Sequence, residues 1–246
     1  MSIFSKIDIR MIEEDNMPNN KMTIFIAGDS TAEIKTKSER PESGWGEFLS
    51  DFFDASVHIE NHAMGGRSTK SYLDQNRFEP ILDEMKPGDY LLIQFGHNDQ
   101  KIEDPERYTD PHSTYQENLK WFVKETRQKN AIPILLTSIS RRIFIDGQID
   151  KSALGDYPEA MRKVAQEEDV SLIDMHKQSI QLLNQLGEQK SKDLFLHLGK
   201  NEYENYPEGL IDNTHFSEMG AKTFAKMIAQ ELAKTINEIN QNRNKE

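Results

Sequence analysis

The chain has 246 residues, with 30 Lys and Arg against 42 Asp and Glu and a formal net charge of −12, so nonspecific binding to nucleic acid or to an anionic membrane surface is disfavoured and an acidic ligand must be met by locally placed arginines. At 36% hydrophobic residues it can bury one sizeable core, and one domain is expected. It contains no cysteine, which excludes a disulfide framework, a thiolate nucleophile and a cysteine-based zinc site.

In residues 1–21, Lys6, Asp8 and Arg10 interrupt the apolar side chains, and no unbroken apolar core or small-residue cleavage site follows. They read as an N-terminal extension ahead of a domain at 22–240, with a polar tail at 241–246. No later run approaches the ~20 apolar residues that span a bilayer. The expectation is a cytoplasmic protein with neither a membrane nor a nucleic-acid partner.

From Met22 onward, short apolar runs alternate with longer segments of helical period, the pattern of βαβ units and a parallel sheet. Strands are predicted at 23–27, 57–60, 90–95, 132–137 and 171–174, and helices at 45–53, 77–85, 114–129, 158–168, 176–186 and 218–239. Ser113 and Ser217 are the predicted caps of the third and last helices. Parallel strands end on one edge of their sheet, where ligands gather, so loops far apart in sequence can meet there.

The first strand is followed by Gly28-Asp29-Ser30, the second by Asn61-His62-Ala63-Met64-Gly65-Gly66-Arg67-Ser68, and the third by Gly96-His97-Asn98-Asp99. Asp212-Asn213-Thr214-His215 stands just ahead of the last helix. Singly, each has an ordinary explanation as a turn or cap. Together they supply the parts of a serine hydrolase. A serine hydroxyl needs a histidine to take its proton and an acid to fix that histidine's tautomer. Asp212 and His215, three apart in one turn, fall on the same side. The other six histidines lack this arrangement: His58 and His62 flank a strand, His112 and His176 open helices, His197 lies in a loop and His97 sits beside Asn98. Oxyanion donors are available in the backbone N–H groups of Ser30 and Gly66 and the amide of Asn98, with glycine at 66 permitting close backbone approach.

The blocks "GDST", "NHAMGGRS", "GHND" and "DNTH", in this order, resemble the SGNH or GDSL-type hydrolase superfamily, and within it the rhamnogalacturonan acetylesterase branch, over residues 23–234. Thr31 stands where many relatives have leucine, which also resembles that branch. The resemblance implies a three-layer α/β/α sandwich, flavodoxin-like, with five parallel strands. It implies Ser30 as nucleophile and first oxyanion donor, Gly66 as the second, Asn98 as the third, and Asp212 with His215 completing the triad. Gly66 rather than Gly65 is the implied donor because it directly precedes Arg67-Ser68. The activity implied is removal of O-acetyl groups from carbohydrate, with pectin-derived rhamnogalacturonan oligosaccharides as substrate and an acetyl-serine intermediate. The Gly-x-Ser-x-Gly elbow of the α/β-hydrolases is absent.

Neither a cofactor nor a metal is called for, and the sequence has no His-Glu-x-x-His run. Arg67, Arg141 and Arg142 are candidate substrate contacts, since guanidinium matches the carboxylate of a galacturonate in a bidentate way; internal ion pairs explain each equally well. The loop at 100–115 either walls the site or is a surface connection. A lipase, lysophospholipase or thioesterase of the same superfamily would keep Ser30 and His215 but add an apolar acyl channel. A non-catalytic carbohydrate-binding module is harder to reconcile with the full residue set. Flavin or nucleotide binding lacks both the Gly-x-x-x-x-Gly-Lys loop and the dinucleotide fingerprint.

Overall fold

The computed structural model describes residues 22–243; the expected extension at 1–21 and residues 244–246 lie outside them. Its strands are β1 (Met22–Gly28), β2 (Val57–Asn61), β3 (Tyr90–Gln94), β4 (Ile132–Leu136), β5 (Phe144–Ile145), β6 (Gln148–Ile149), β7 (Ser171–Ile173), β8 (Phe195–Leu198) and β9 (Leu210–Phe216). Its α-helices are α1 (Thr69–Asp74), α2 (Glu79–Glu84), α3 (Thr114–Gln128), α4 (Tyr157–Glu167), α5 (Met175–Lys190) and α6 (Glu218–Arg243).

The five predicted strands form one parallel sheet in the order β2-β1-β3-β4-β7. The apolar runs of β1, β3 and β4 are nearly continuous because both faces are covered, whereas the edge strand β2 is only partly buried. Ile24, Ile26, Leu92, Ile134 and Leu136 pack on one side with Trp45, Leu49 and residues of α5 and α6, including Leu183, Phe224 and Ile228. Phe25, Ala27, Leu91, Ile93 and Leu135 pack on the other side with Tyr72, Ile81, Phe122 and Met161 from α1, α2, α3 and α4. This period-two division of each strand between two helical layers is the α/β/α sandwich.

Several elements differ from expectation for local reasons. The helix expected at 45–53 is two 3-10 segments, Trp45–Glu47 and Leu49–Phe52. Its start is pressed against the chain after β1: a Cβ on Gly44 would lie 2.1 Å from the Glu33 carbonyl oxygen and one on Gly46 2.4 Å from that of Ala32. The helix expected at 77–85 is shorter, opening at Glu79 with Pro80 in its first turn, where proline's missing N–H costs no helical bond. The last helix runs on to Arg243, so residues 241–243 of the expected tail are helical. Ser217 caps it by accepting the Gly220 N–H at 3.1 Å, whereas Ser113 makes no cap bond and donates instead to Asp110 Oδ1 at 3.2 Å.

α1 and the antiparallel β8–β9 pair were not foreseen, and the pair places His197 in a strand rather than a loop. α1 is short and has little apolar period, but Ser68 and Ser71 cap it reciprocally: Ser68 Oγ accepts the Ser71 N–H at 3.1 Å and Ser71 Oγ accepts the Ser68 N–H at 2.9 Å. No described helix is long and apolar enough to cross a membrane.

Candidate active site

The turn after β1 is built around Asp29, which is fully buried. Its Oδ1 accepts the Thr31 N–H at 3.0 Å and lies 2.7 Å from Thr31 Oγ1. Its Oδ2 accepts from Gln94 Nε2 at 3.3 Å and faces His97 Nδ1 at 3.3 Å. Burial opposes the charge, but His97 and the Thr31 bonds outweigh it and hold this carboxyl below its ordinary range. The backbone is fixed further by the Trp45 N–H donating to the Thr31 carbonyl at 2.9 Å. Ser30 is thereby presented beyond the C-terminal end of β1, where Ser30 Oγ lies 2.9 Å from His215 Nε2.

His215 and Asp212 are both on β9, not in a turn before the last helix. In a regular strand, residues three apart would point to opposite faces. β9 is not regular: Phe216 pairs with Phe195, and Asp212 with the next residue, Leu196, so residues 213–215 are extruded. Asp212 Oδ1 holds the bulge by accepting the N–H groups of Thr214 and His215 at 2.6 and 2.9 Å. Its Oδ2 then reaches His215 Nδ1 at 2.7 Å. Burial raises Asp212, but the His215 hydrogen bond and charge, with the two backbone bonds, drive it far below the usual carboxylate range. Burial likewise opposes charge on His215; the hydrogen bond to Asp212 and the carboxylates of Glu42 and Asp212 prevail and raise it above its ordinary 6.5.

The loops after β2 and β3 bring up the expected donors. Gly66 has φ +75°, a conformation that favours glycine. Asn98 is only 5% exposed, and its Nδ2 donates one hydrogen to the Arg67 carbonyl at 3.0 Å, leaving the second N–H of the amide for another acceptor. Glu33 sits beside this loop, with its Oε2 2.7 Å from where a Cβ on Gly65 would be. Glu33 and Glu42 pair with the nearly buried Lys35 at 2.7 and 2.8 Å.

The three arginines part company. Arg142 is 5% exposed, with its guanidinium spent on Ser191 Oγ at 3.0 Å, Asn213 Oδ1 at 3.0 Å and the Glu188 carbonyl. Its reading as a substrate contact gives way to a structural one: it braces the bulge of β9, where its own N–H also donates to the Asn213 carbonyl at 2.8 Å. Arg67 donates to the Gly65 carbonyl at 2.7 Å and to Gln75 Oε1 at 2.9 Å. Arg141 donates to Thr214 Oγ1 and to the His97 carbonyl, the latter at 3.4 Å. Among the described residues neither Arg67 nor Arg141 forms an ion pair.

Arg107, in the loop at 100–115, was not singled out by its sequence context, an acidic stretch. Its Nη1 is 3.5 Å from Asn98 Oδ1 and 3.8 Å from where a Cβ on Gly66 would be, so this loop does wall the site. Burial and the like charges of Arg77 and Arg107 pull Arg67 below its ordinary value, and burial, Arg107 and Arg141 do the same to Lys101. One rim of the site therefore gathers cations, with Glu33 opposing the shift of Arg67, Asp104 and Glu103 opposing that of Lys101, and Arg107 paired with Asp104 Oδ2 at 2.5 Å. Among the described residues, no group of three or more His, Cys, Asp or Glu side chains is arranged to hold a metal ion.

Residues 26–223 match the model of the GDSL-like lipase/acylhydrolase family. The chain is 42% identical over 214 residues to rhamnogalacturonan acetylesterase RhgT of Bacillus subtilis (strain 168), covering 87% of this chain and 90% of that protein. It is 37% identical over 210 residues to the probable rhamnogalacturonan acetylesterase YesY of the same organism, covering 84% and 90%. Among solved structures, that of YxiM from B. subtilis superposes with a TM-score of 0.74 at 24% identity, over 88% of this chain and 57% of that one. The acetylxylan esterase Axe2 of Geobacillus stearothermophilus does so at 0.60 and 16% identity, over 86% and 94%. At these identities the two structures speak for the fold alone.

Proposed function

The chain belongs to the GDSL-like lipase/acylhydrolase family, and from that premise we propose that it is a serine esterase removing O-acetyl groups from pectin-derived rhamnogalacturonan oligosaccharides. The observation that carries this is the continuous relay from Ser30 Oγ to His215 Nε2 at 2.9 Å and from His215 Nδ1 to Asp212 Oδ2 at 2.7 Å.

In the first step Ser30 Oγ attacks the acetyl carbonyl carbon while its proton passes to His215 Nε2. Asp212 accepts the Nδ1 hydrogen throughout, fixing the tautomer and favouring the imidazolium as it forms. The carbonyl electrons move onto oxygen, where the N–H groups of Ser30 and Gly66 and the free Asn98 N–H receive them. The intermediate collapses by breaking the bond to the sugar oxygen, which takes the proton from His215. Water, deprotonated by the same imidazole, then attacks acetyl-Ser30, and the bond to Ser30 Oγ breaks as that oxygen takes the proton back from His215, releasing acetate.

Arg67 and Arg141, with Arg107 beside them, are the proposed contacts for uronate carboxylates flanking the acetylated residue. Their support is that Arg67 and Arg141 form no ion pair among the described residues of a chain of net charge −12, whereas Arg107 is paired with Asp104 at 2.5 Å. An esterase for long acyl chains would need an apolar channel, whereas the side chains placed at this site are His215 against Ser30, Glu33 beside Gly65, and Arg107 beside Asn98 and Gly66, which favours a small acyl group on a polar carrier. A non-catalytic carbohydrate-binding module has no use for a serine held against a carboxylate-oriented imidazole.

The test compares acetate release from acetylated galacturonate-containing oligosaccharides with hydrolysis of octanoyl esters. The proposal expects the first to be preferred, and Arg67→Ala and Arg141→Ala to raise KM about 5- to 50-fold for the uronate substrate, the loss of a charged hydrogen-bonded pair, with a smaller change in KM for 4-nitrophenyl acetate. Faster octanoyl hydrolysis would overturn the substrate class.

A further inference from the structure

Asp99, next to Asn98, is completely buried, and its hydrogen bonding is one-sided. Its Oδ1 accepts three donors: the Thr69 N–H at 3.0 Å, Thr69 Oγ1 at 2.5 Å and Thr109 Oγ1 at 2.9 Å. Its Oδ2 is equally buried and has no partner among the described residues. Its backbone carbonyl accepts the Thr109 N–H at 3.1 Å and the Tyr157 hydroxyl at 2.9 Å.

The partners matter for where they lie in the chain. Thr69 is the first residue of α1, three residues after Gly66, and Thr109 is two residues after Arg107. One carboxyl oxygen therefore knots the loop that carries Gly66, the loop that carries Asn98 and the wall that carries Arg107. A second tie between the Gly66 loop and Asn98 is the bond from Asn98 Nδ2 to the Arg67 carbonyl, and it runs through the side chain that must also donate to the oxyanion.

We propose that Asp99 is the positioning residue of the oxyanion hole, setting the Asn98 amide against the Gly66 N–H through the acceptor capacity of Oδ1 and not through charge. The inference rests on the serine-esterase reading above. A carboxylate working by charge would be expected to use both oxygens, since each retains lone pairs that are costly to bury unpaired. The surroundings also disfavour charge: the Asp29 carboxylate at the β1 turn opposes it. Burial, reinforced by Asp29 and opposed by the Thr69 and Thr109 bonds, pushes this carboxyl up to about 7.

The test is a double-mutant cycle of Asn98→Ala and Asp99→Ala, read as kcat and KM on 4-nitrophenyl acetate. In the wild-type background Asn98→Ala should lower kcat about 10²- to 10³-fold. In the Asp99→Ala background the amide is already misplaced, so its removal should cost less than about tenfold, with KM moving little in any variant. Asp99→Asn, which keeps the Oδ1 acceptor, should restore kcat to within about fivefold of wild type. If Asp99→Ala does not fold, Thr109→Val takes its place in the cycle and should reduce the cost of Asn98→Ala at least about threefold. Equal cost of Asn98→Ala in both backgrounds would make Asp99 merely structural and overturn the proposal. So would Asp99→Asn behaving like Asp99→Ala. A wild-type background indifferent to Asn98→Ala would instead sink the oxyanion assignment itself, and this proposal with it.

Discussion

His215 has to be neutral to take the Ser30 proton, yet its hydrogen bond to Asp212 and the nearby carboxylates, working against burial, favour its charged form. The sign is fixed by that conflict. Activity should be present above the raised pKa of His215 and be lost as pH falls through it, so the acid limb of kcat/KM should have its midpoint above 6.5. Asp212→Asn removes the strongest of the stabilising partners. It should move the limb downward and lower kcat on the order of 10⁴-fold, because the ring loses the partner that fixes its tautomer. A pH profile unchanged in Asp212→Asn would show that the limb belongs to another group. At this scale the sequence was most informative: Ser30, Gly66, Asn98, Asp212 and His215 stand in blocks whose residue types are dictated by the chemistry. Asp99 stands in the GHND block, but nothing local assigns it a task, and nothing local distinguishes Arg107 from an ordinary loop cation. Their meaning lies in Thr69, Thr109 and Asn98, up to thirty residues away.

The elements show where sequence periodicity stops being informative. β1, β2, β3, β4 and β7 fall within a residue or so of their predicted places; β1, β3 and β4 are apolar runs buried on both faces, while the edge strands β2 and β7 are only partly buried. The β9 bulge carries no such signal. Asp212 and His215 meet only because β8 pairs across the extrusion and Arg142 fills the space behind it. That makes Arg142 a test of the element. Arg142→Ala removes the guanidinium that ties buried Ser191 to Asn213 and the Glu188 carbonyl, leaving these last two only His197 Nε2 at 2.8 Å and Ser191 Oγ at 3.3 Å, at a cost of about 2–4 kcal/mol. In a chain of this size that corresponds to a Tm lower by roughly 4–12 °C, together with a fall in kcat as the His215 geometry loosens. A substrate contact would do the reverse, raising KM with Tm unchanged. The 3-10 segments at Trp45 and Leu49 were misread for a similar reason: their apolar spacing suits a helix, but glycines pressed onto the backbone of Ala32 and Glu33 set their actual path.

For the whole molecule, the sandwich explains how residues up to 185 positions apart, Ser30 and His215, become hydrogen-bond partners. Four parallel strands deliver their loops to one edge, and the β8–β9 pair brings the fifth contribution from near the C-terminal end. The same edge carries Arg67, Lys101, Arg107 and Arg141 on an otherwise acidic chain, so net charge alone does not describe the field a ligand meets there. All of these features converge on a carbonyl held against Ser30, and the most direct test is acetate release from acetylated rhamnogalacturonan oligosaccharides by the wild type and by Ser30→Ala, whose fold is checked by its thermal transition. The account predicts release by the wild type and a loss of at least about 10⁴-fold in kcat for a Ser30→Ala protein that melts as the wild type does. Equal rates for the two would contradict it.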